Sequence, residues 1–310
     1  MSNSCTQAVE NSTHNVFRGV PVRDGEAVFF ERFLSAHDFS PLTVEAFAFD
    51  LRKFAEWFTE ANAEHFDSQR VTAADVADFR RYLRQDRHQA VSTVNRCLVS
   101  LRRYLGWLVE QGRLAANPAK QIKELRRQQL APMGLDRPQV RRLMREVELR
   151  GEVRAAAIFS LMLYTGARVG DVVSLELSDL TLGERSGSVI YRFGKGSKQR
   201  VCPLPLNARR TIETYLGTRP PVSSTKLFIG ERGPLTVRGV QAIFEKYSAF
   251  VGFKVYPHLL RHTFAHEFLR SGGNLVQLAQ LLGHSNLNTV QIYTKDSVEQ
   301  LGEAAERVSY

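Results

Sequence analysis

From Val28 to Leu108 apolar residues return at three- and four-residue steps, and the pattern starts afresh four times. This recurrence constrains the fold more than any other feature. It lays apolar side chains along one stripe of a helix, and such a stripe is stable only when buried against another. Val28, Phe29, Phe33 and Leu34 mark the first helix. Ser40-Pro41 opens the second, with serine as N-cap and proline in the first turn, followed by Val44, Phe47, Leu51, Phe54 and Phe58. A third starts at Thr72, with Asp75 in its first turn, and runs through Val76, Phe79, Tyr82 and Leu83. The fourth runs from Ser92 through Val94, Leu98, Leu101, Tyr104, Leu105 and Leu108 to a stop at Gly112. Four amphipathic helices with short connections predict a compact helical domain.

Asn117-Pro118 breaks this pattern, and the polar run from Lys120 to Gln129 followed by Pro132-Met133-Gly134 reads as a linker. At 310 residues the chain has room for two domains. The organisation expected is a loose arm at 1–22, a helical domain at 23–120, a linker at 121–136 and a second domain at 137–310. The second domain is read as mainly α with a small β-sheet (α+β). Its helices are expected from Asp136-Arg137-Pro138 and at 153–165, 207–216, 236–251, 258–271, 274–283 and 296–306. Alternating runs at 188–193 and 200–204 flank Gly194-Lys195-Gly196-Ser197-Lys198, a hairpin with a basic turn.

Charge is uneven. Residues 1–136 carry 18 Lys and Arg against 17 Asp and Glu, and residues 137–310 carry 24 against 15, so nearly all of the net +10 lies in the second domain. Such a surplus suits a polyanion such as DNA, because each neutralised phosphate releases condensed counterions. Arg80, Arg81, Arg84, Arg96, Arg102 and Arg103, on the third and fourth helices, read either as solvated surface or as contacts to a DNA backbone. Cys5, Cys97 and Cys202 are too few and too scattered for a disulfide framework or a zinc site. No apolar leader and no membrane-spanning stretch is evident, so the reading is of a soluble, cytoplasmic protein without a membrane partner.

Four strings in the second domain carry candidate chemistry. In Thr165-Gly166-Ala167-Arg168-Val169-Gly170-Asp171, an arginine follows a glycine-containing break between helices, with a carboxylate three residues on. Lys195 and Lys198 sit in the hairpin turn, and His258 and Arg261 share a helix face in His258-Leu259-Leu260-Arg261-His262. Leu281-Leu282-Gly283-His284 is followed nine residues later by Tyr293. Each has an ordinary structural explanation when taken alone. Together they give two arginines, a lysine, two histidines and a tyrosine without an acidic cluster, an inventory suited to phosphoryl transfer without a metal. Forked guanidinium and imidazole donors can stabilise charge on non-bridging oxygens, and a phenol nucleophile needs a proton acceptor nearby.

These strings resemble the tyrosine recombinase (phage integrase) family, in its Xer-like or mobile-element branch. Its set of Arg, Lys, His-x-x-Arg, His or Trp, then Tyr is matched in order by Arg168, Lys195, His258, Arg261, His284 and Tyr293. The first helical region resembles the family's SAM-like core-binding domain. The resemblance implies that Arg168, Arg261 and His284 hold the scissile phosphate and that Tyr293 attacks it. Lys195 would protonate the leaving 5′-hydroxyl, with Lys198 as a rival. His258 would help deprotonate Tyr293 or hold the phosphate, and Asp171, where the family often has Glu, would orient Arg168.

The implied product is a 3′-phosphotyrosyl link, passed on through a Holliday junction in integration, excision or resolution, with no cofactor and no metal. The implied partner is double-stranded DNA, gripped by a homotetramer on two sites, or by a heterotetramer with a paralogue, with accessory proteins possible. The tail at 297–310, with Val298, Leu301, Ala304, Ala305 and Val308 at helical spacing, is expected to dock on a neighbouring subunit or on its own domain. Two alternatives stay open: a DNA-binding protein that has lost catalysis, and a relaxase resembling type IB topoisomerases.

Overall fold

The computed structural model describes residues 19–126, 133–192 and 199–283. Contacts divide the chain into two compact units, Met1–Gln128 and Gln129–Tyr310. Among the described residues no helix is long and apolar enough to cross a membrane.

The first unit contains α1 (Glu26–Ser35), α2 (Pro41–Asn62), α3 (Ala73–Gln85) and α4 (Val91–Glu110). The starts of α2 and α3 are set by the residues the sequence singled out. The Ser40 side chain accepts from the Thr43 N–H, and Thr72 and Asp75 form a reciprocal capping box. The fourth helix begins one residue before Ser92, on Ala90 with no side-chain cap, and Gly112 (φ 70°) ends its chain reversal. The core is aromatic: Phe30, Phe33, Phe54, Phe58, Phe66, Phe79 and Tyr104 are fully buried. Phe54 meets Phe79 edge-on at 5.0 Å, and Phe33 meets Tyr104 at 5.5 Å. Each buried large apolar side chain contributes about 1.5–3 kcal/mol, and these rings pack with the leucines and valines of the same helices.

Segments expected to be loose are attached to this unit where they are described. Val20 is buried, Val22 bridges to Phe66, and the Phe66 N–H donates to Pro21 O at 3.0 Å. On the other side, Asn95 exchanges two 2.9 Å hydrogen bonds with the Leu125 backbone, and Arg102 donates to Ala119 O and Ile122 O. Arg80 donates to Lys123 O, and Arg96 pairs with the buried Asp50. Arg84 donates to Gln89 O at 3.1 Å, so four of the six arginines read as solvated or DNA-facing are tied to backbone or buried charge within their own unit.

The second unit is built on α6 (Val153–Thr165), whose Ala157, Ile158, Phe159, Leu161 and Met162 are all buried. It packs against α5 (Arg137–Leu149), α8 (Leu206–Thr218) and α10 (Pro257–Arg270). Asp136 caps α5 in a capping box with Gln139, as expected from Asp136-Arg137-Pro138. Between α6 and α8 lie the short α7 (Val169–Ser174) and three antiparallel strands in sequential order, β1 (Leu180–Leu182), β2 (Gly187–Tyr191) and β3 (Arg200–Pro203).

Val189 faces Cys202 and Tyr191 faces Arg200 in the β2–β3 register, matching the expected hairpin arms. A second hairpin, β4 (Ile229–Gly230) with β5 (Gly233–Pro234), leads into α9 (Val237–Val251), and α11 (Leu275–Leu282) follows α10. Segment 133–136 belongs to this unit. Leu135 N–H donates to Thr263 Oγ1 at 2.8 Å, and a Cβ at Gly134 would lie 2.7 Å from Thr263 Cα.

Candidate active site

Where α6 ends the chain must reverse, and Gly166 does so at φ 63°. A side chain there would also collide with neighbours, since its Cβ would lie 2.5 Å from Leu282 Cδ2 and 2.6 Å from Phe264 Cδ1. Glycine is therefore required both for the left-handed cap and for the close approach of α10 and α11. The reversal leaves Arg168, half-buried, as N-cap of α7. Its backbone N–H donates to Asp171 Oδ2 at 2.8 Å.

Arg261, one turn into α10, is buried and bonded on both arms of its fork: Nη1 donates to Gly166 O at 2.6 Å and Nη2 to Leu282 O at 2.8 Å. One guanidinium thus joins the Arg168 turn to the end of α11, two residues before His284 in sequence. His258 lies one turn earlier on α10, which Pro257 starts at its first position. Its ring is 6.4 Å from that of His262. Desolvation, then the charges of Arg261 and Arg168, lower the His258 pKa. His262 is pushed down to about 4 by desolvation and by His258, His266 and Arg261. Both rings are therefore neutral at pH 7, leaving His258 a nitrogen able to accept a proton.

Asp171 is buried and does not pair with the Arg168 side chain. It holds Arg168 through the backbone, and its ion-pair partner is Arg200. Asp171 thus holds Arg168 by its main chain, as the short carboxylate turns back to cap its own helix and then meets the strand. Around Arg168 the electrostatics oppose one another: desolvation lowers its pKa first, Asp171 raises it and Arg200 lowers it.

The structure thus brings Arg168, Asp171, His258 and Arg261 to one end of the second unit. Lys195, Lys198, His284, Tyr293 and the tail at 297–310 lie outside the described residues.

Arg200 was not singled out in sequence, although a signal was available. In a strand that alternates, Arg200, Cys202 and Leu204 share one face, and two apolar residues on that face mark the arginine as an inward, buried charge. The burial pattern of β3 alternates accordingly.

With this geometry in place, comparison with known proteins gives a consistent answer. Residues 134–300 match the phage integrase family, and residues 27–112 match the phage integrase N-terminal SAM-like domain. The chain is 35% identical over 276 residues to tyrosine recombinase XerC of Pelobacter propionicus, covering 86% of this chain and 89% of the relative. It is 31% identical over 283 residues to tyrosine recombinase XerA of Thermococcus kodakarensis, covering 90% and 93%. Among solved structures, XerH site-specific recombinase bound to its difH substrate superposes with a TM-score of 0.74 at 22% identity, covering 99% of this chain and 91% of that one. The chain belongs to the phage integrase family. Within it, the chain is a tyrosine recombinase, an enzyme of site-specific recombination by strand cleavage and rejoining.

Proposed function

We propose that this recombinase acts on double-stranded DNA as a tetramer bound to two sites, in the cytoplasm, through a 3′-phosphotyrosyl intermediate and a Holliday junction. Residues 23–120 serve as the core-binding domain and 137–310 as the catalytic domain. The observation that carries this reading is the joining, through Arg261, of the Arg168 turn to the end of α11, with a neutral His258 one turn away. Two guanidiniums beside a neutral imidazole suit a phosphodiester whose non-bridging oxygens gain charge as it is attacked.

In this mechanism the Tyr293 phenol oxygen bonds to phosphorus, its proton passes to His258, and the P–O5′ bond breaks as Lys195 protonates the departing oxygen. Arg168, Arg261 and His284 hold the phosphoryl oxygens throughout. The bond energy is kept in the phosphotyrosyl ester, so a 5′-hydroxyl from another strand reverses the steps and reseals the backbone. The tail at 297–310 docks on a neighbouring subunit.

The test is a nicked suicide duplex carrying candidate sites from DNA that flanks the gene. A covalent protein–DNA complex formed by the wild type and absent in Tyr293→Phe is the expected outcome. A complex that survives the substitution refutes the nucleophile, and recombination unchanged after deletion of 297–310 refutes the docking of the tail.

A further inference from the structure

Arg200 is the first residue of β3, five residues after Lys195 in sequence, and its side chain is buried. Its fork makes contacts in three directions. Nη2 forms the ion pair with Asp171 Oδ2, the same oxygen that accepts the Arg168 N–H. Nε donates to Leu281 O at 3.0 Å, three residues before His284 in sequence. The flat face lies over the Tyr191 ring at 4.4 Å, and the Tyr191 hydroxyl is 2.7 Å from Thr165 Oγ1, at the end of α6. Gly283 completes the enclosure, since a Cβ there would come within 3.1 Å of Arg200 Cδ. The remaining nitrogen, Nη1, is buried without a hydrogen-bond partner.

A guanidinium in this position is not explained by packing. An apolar side chain on the inward face of β3 would avoid both the desolvation of a charge and the unpaired nitrogen, each of which opposes folding. What an apolar residue would not do is bond to the Arg168 turn and to the end of α11 with fixed angles. We propose that Arg200 is a positioning residue for recombination: it links the Arg168 turn, the β2–β3 hairpin arm and the end of α11 so that the groups they carry meet the phosphate together. This rests on the assignment of Arg168 to the scissile phosphate. Arg200 complements Arg261, which also joins the Arg168 turn to the end of α11.

The experiment measures single-turnover cleavage of the suicide duplex by full-length Arg200→Lys, Arg168→Lys and the double variant. Wild type and Tyr293→Phe are read first in the same assay. If they do not differ, the mechanism fails whatever Arg200 does. Lysine keeps a positive charge against Asp171 but loses the fork, so Arg200→Lys is expected to melt as a folded protein and to bind the duplex with wild-type affinity. Its cleavage rate constant is expected to fall about 100-fold, the scale of an ångström-sized misplacement of reacting groups.

If Arg200 works through Arg168, adding Arg200→Lys to Arg168→Lys costs little more than Arg168→Lys alone, whereas independent roles give multiplied losses. Wild-type cleavage by Arg200→Lys overturns the proposal, and so do multiplied losses in the double variant. A variant that unfolds, or that loses binding and cleavage in the same proportion, makes Arg200 a structural anchor and overturns it equally.

Discussion

Each unit of this molecule buries an aspartate against an arginine, and the two pairs are built differently. Asp50, in the helical unit, is fully buried, but its partner Arg96 leaves 42% of its side chain in solvent. The other donors to Asp50 are the Ser100 hydroxyl at 2.7 Å and the Cys97 thiol at 3.1 Å, both from α4. The Cys97 thiol is itself pushed up to about 12 by burial and by Asp50, so the group stays a donor and not a thiolate. In the second unit Asp171 and Arg200 are both enclosed, with 4% and 7% of their side chains exposed, and Arg200 retains an unpaired nitrogen. The first pair satisfies a polar group between two helices. The second encloses both partners away from water and bonds β3 to the Arg168 turn.

The largest effect expected from this contrast is catalytic. Arg261→Lys keeps a charge but cannot bond Gly166 O and Leu282 O while presenting a planar fork. Its suicide-substrate cleavage should fall by about 10²–10³-fold, the range for loss of one preorganised donor. Arg96→Lys in the helical unit should cleave at the wild-type rate. Equal losses in both would dissolve the distinction.

Stability comes next. Asp171→Asn leaves Arg200 buried without a counter-charge, and urea unfolding of the second unit should register a loss of about 3–5 kcal/mol. Asp50→Asn should cost about 1–2 kcal/mol in the transition of the helical unit, because Arg96 can turn to water. If Asp50→Asn proves the costlier change, exposure of the partner is not what sets the difference.

Much of this was legible in sequence where the cause is local. Ser40, Thr72 and Asp136 cap helices through atoms three residues away, so residue type and spacing were enough. The arms of the β2–β3 hairpin showed in their alternation. β4 and β5 are two residues each, too short for any period, and were not seen. Arg80 and Arg102 were ambiguous because their partners are remote: Lys123 O is 43 residues from Arg80, and Ile122 O is 20 from Arg102. Asp171 also has a remote partner. Its neighbour at three residues was Arg168, while its ion-pair partner lies 29 residues on. Spacing reveals which groups a helix turn can bring together, but not which strand will cross behind it.

The smallest expected effect concerns pH and separates the histidines from the arginines. His258 and His262 both have folded pKa values below the usual 6.5, the latter near 4. A depressed value means that the unfolded chain binds the proton more readily. The stability associated with the neutral rings is therefore complete above pH 6.5 and is lost as pH falls toward 4. Both rings are partly exposed, so solvent screening limits the loss to about 1 kcal/mol between pH 7 and 5. His262→Gln should show a smaller loss over the same interval in urea unfolding. Cleavage should change little between pH 8 and 7 and decline only once His258 takes up a proton, so a rate that already falls through pH 7 would mean that His258 is charged in the working site. The arginines provide the contrast: Arg168, though desolvation lowers its pKa, is a guanidinium and holds its charge throughout this range. Any pH dependence that survives in His262→Gln but vanishes in His258→Gln would therefore assign the titration to the residue whose pKa Arg261 and Arg168 depress and not to its neighbour one turn along α10.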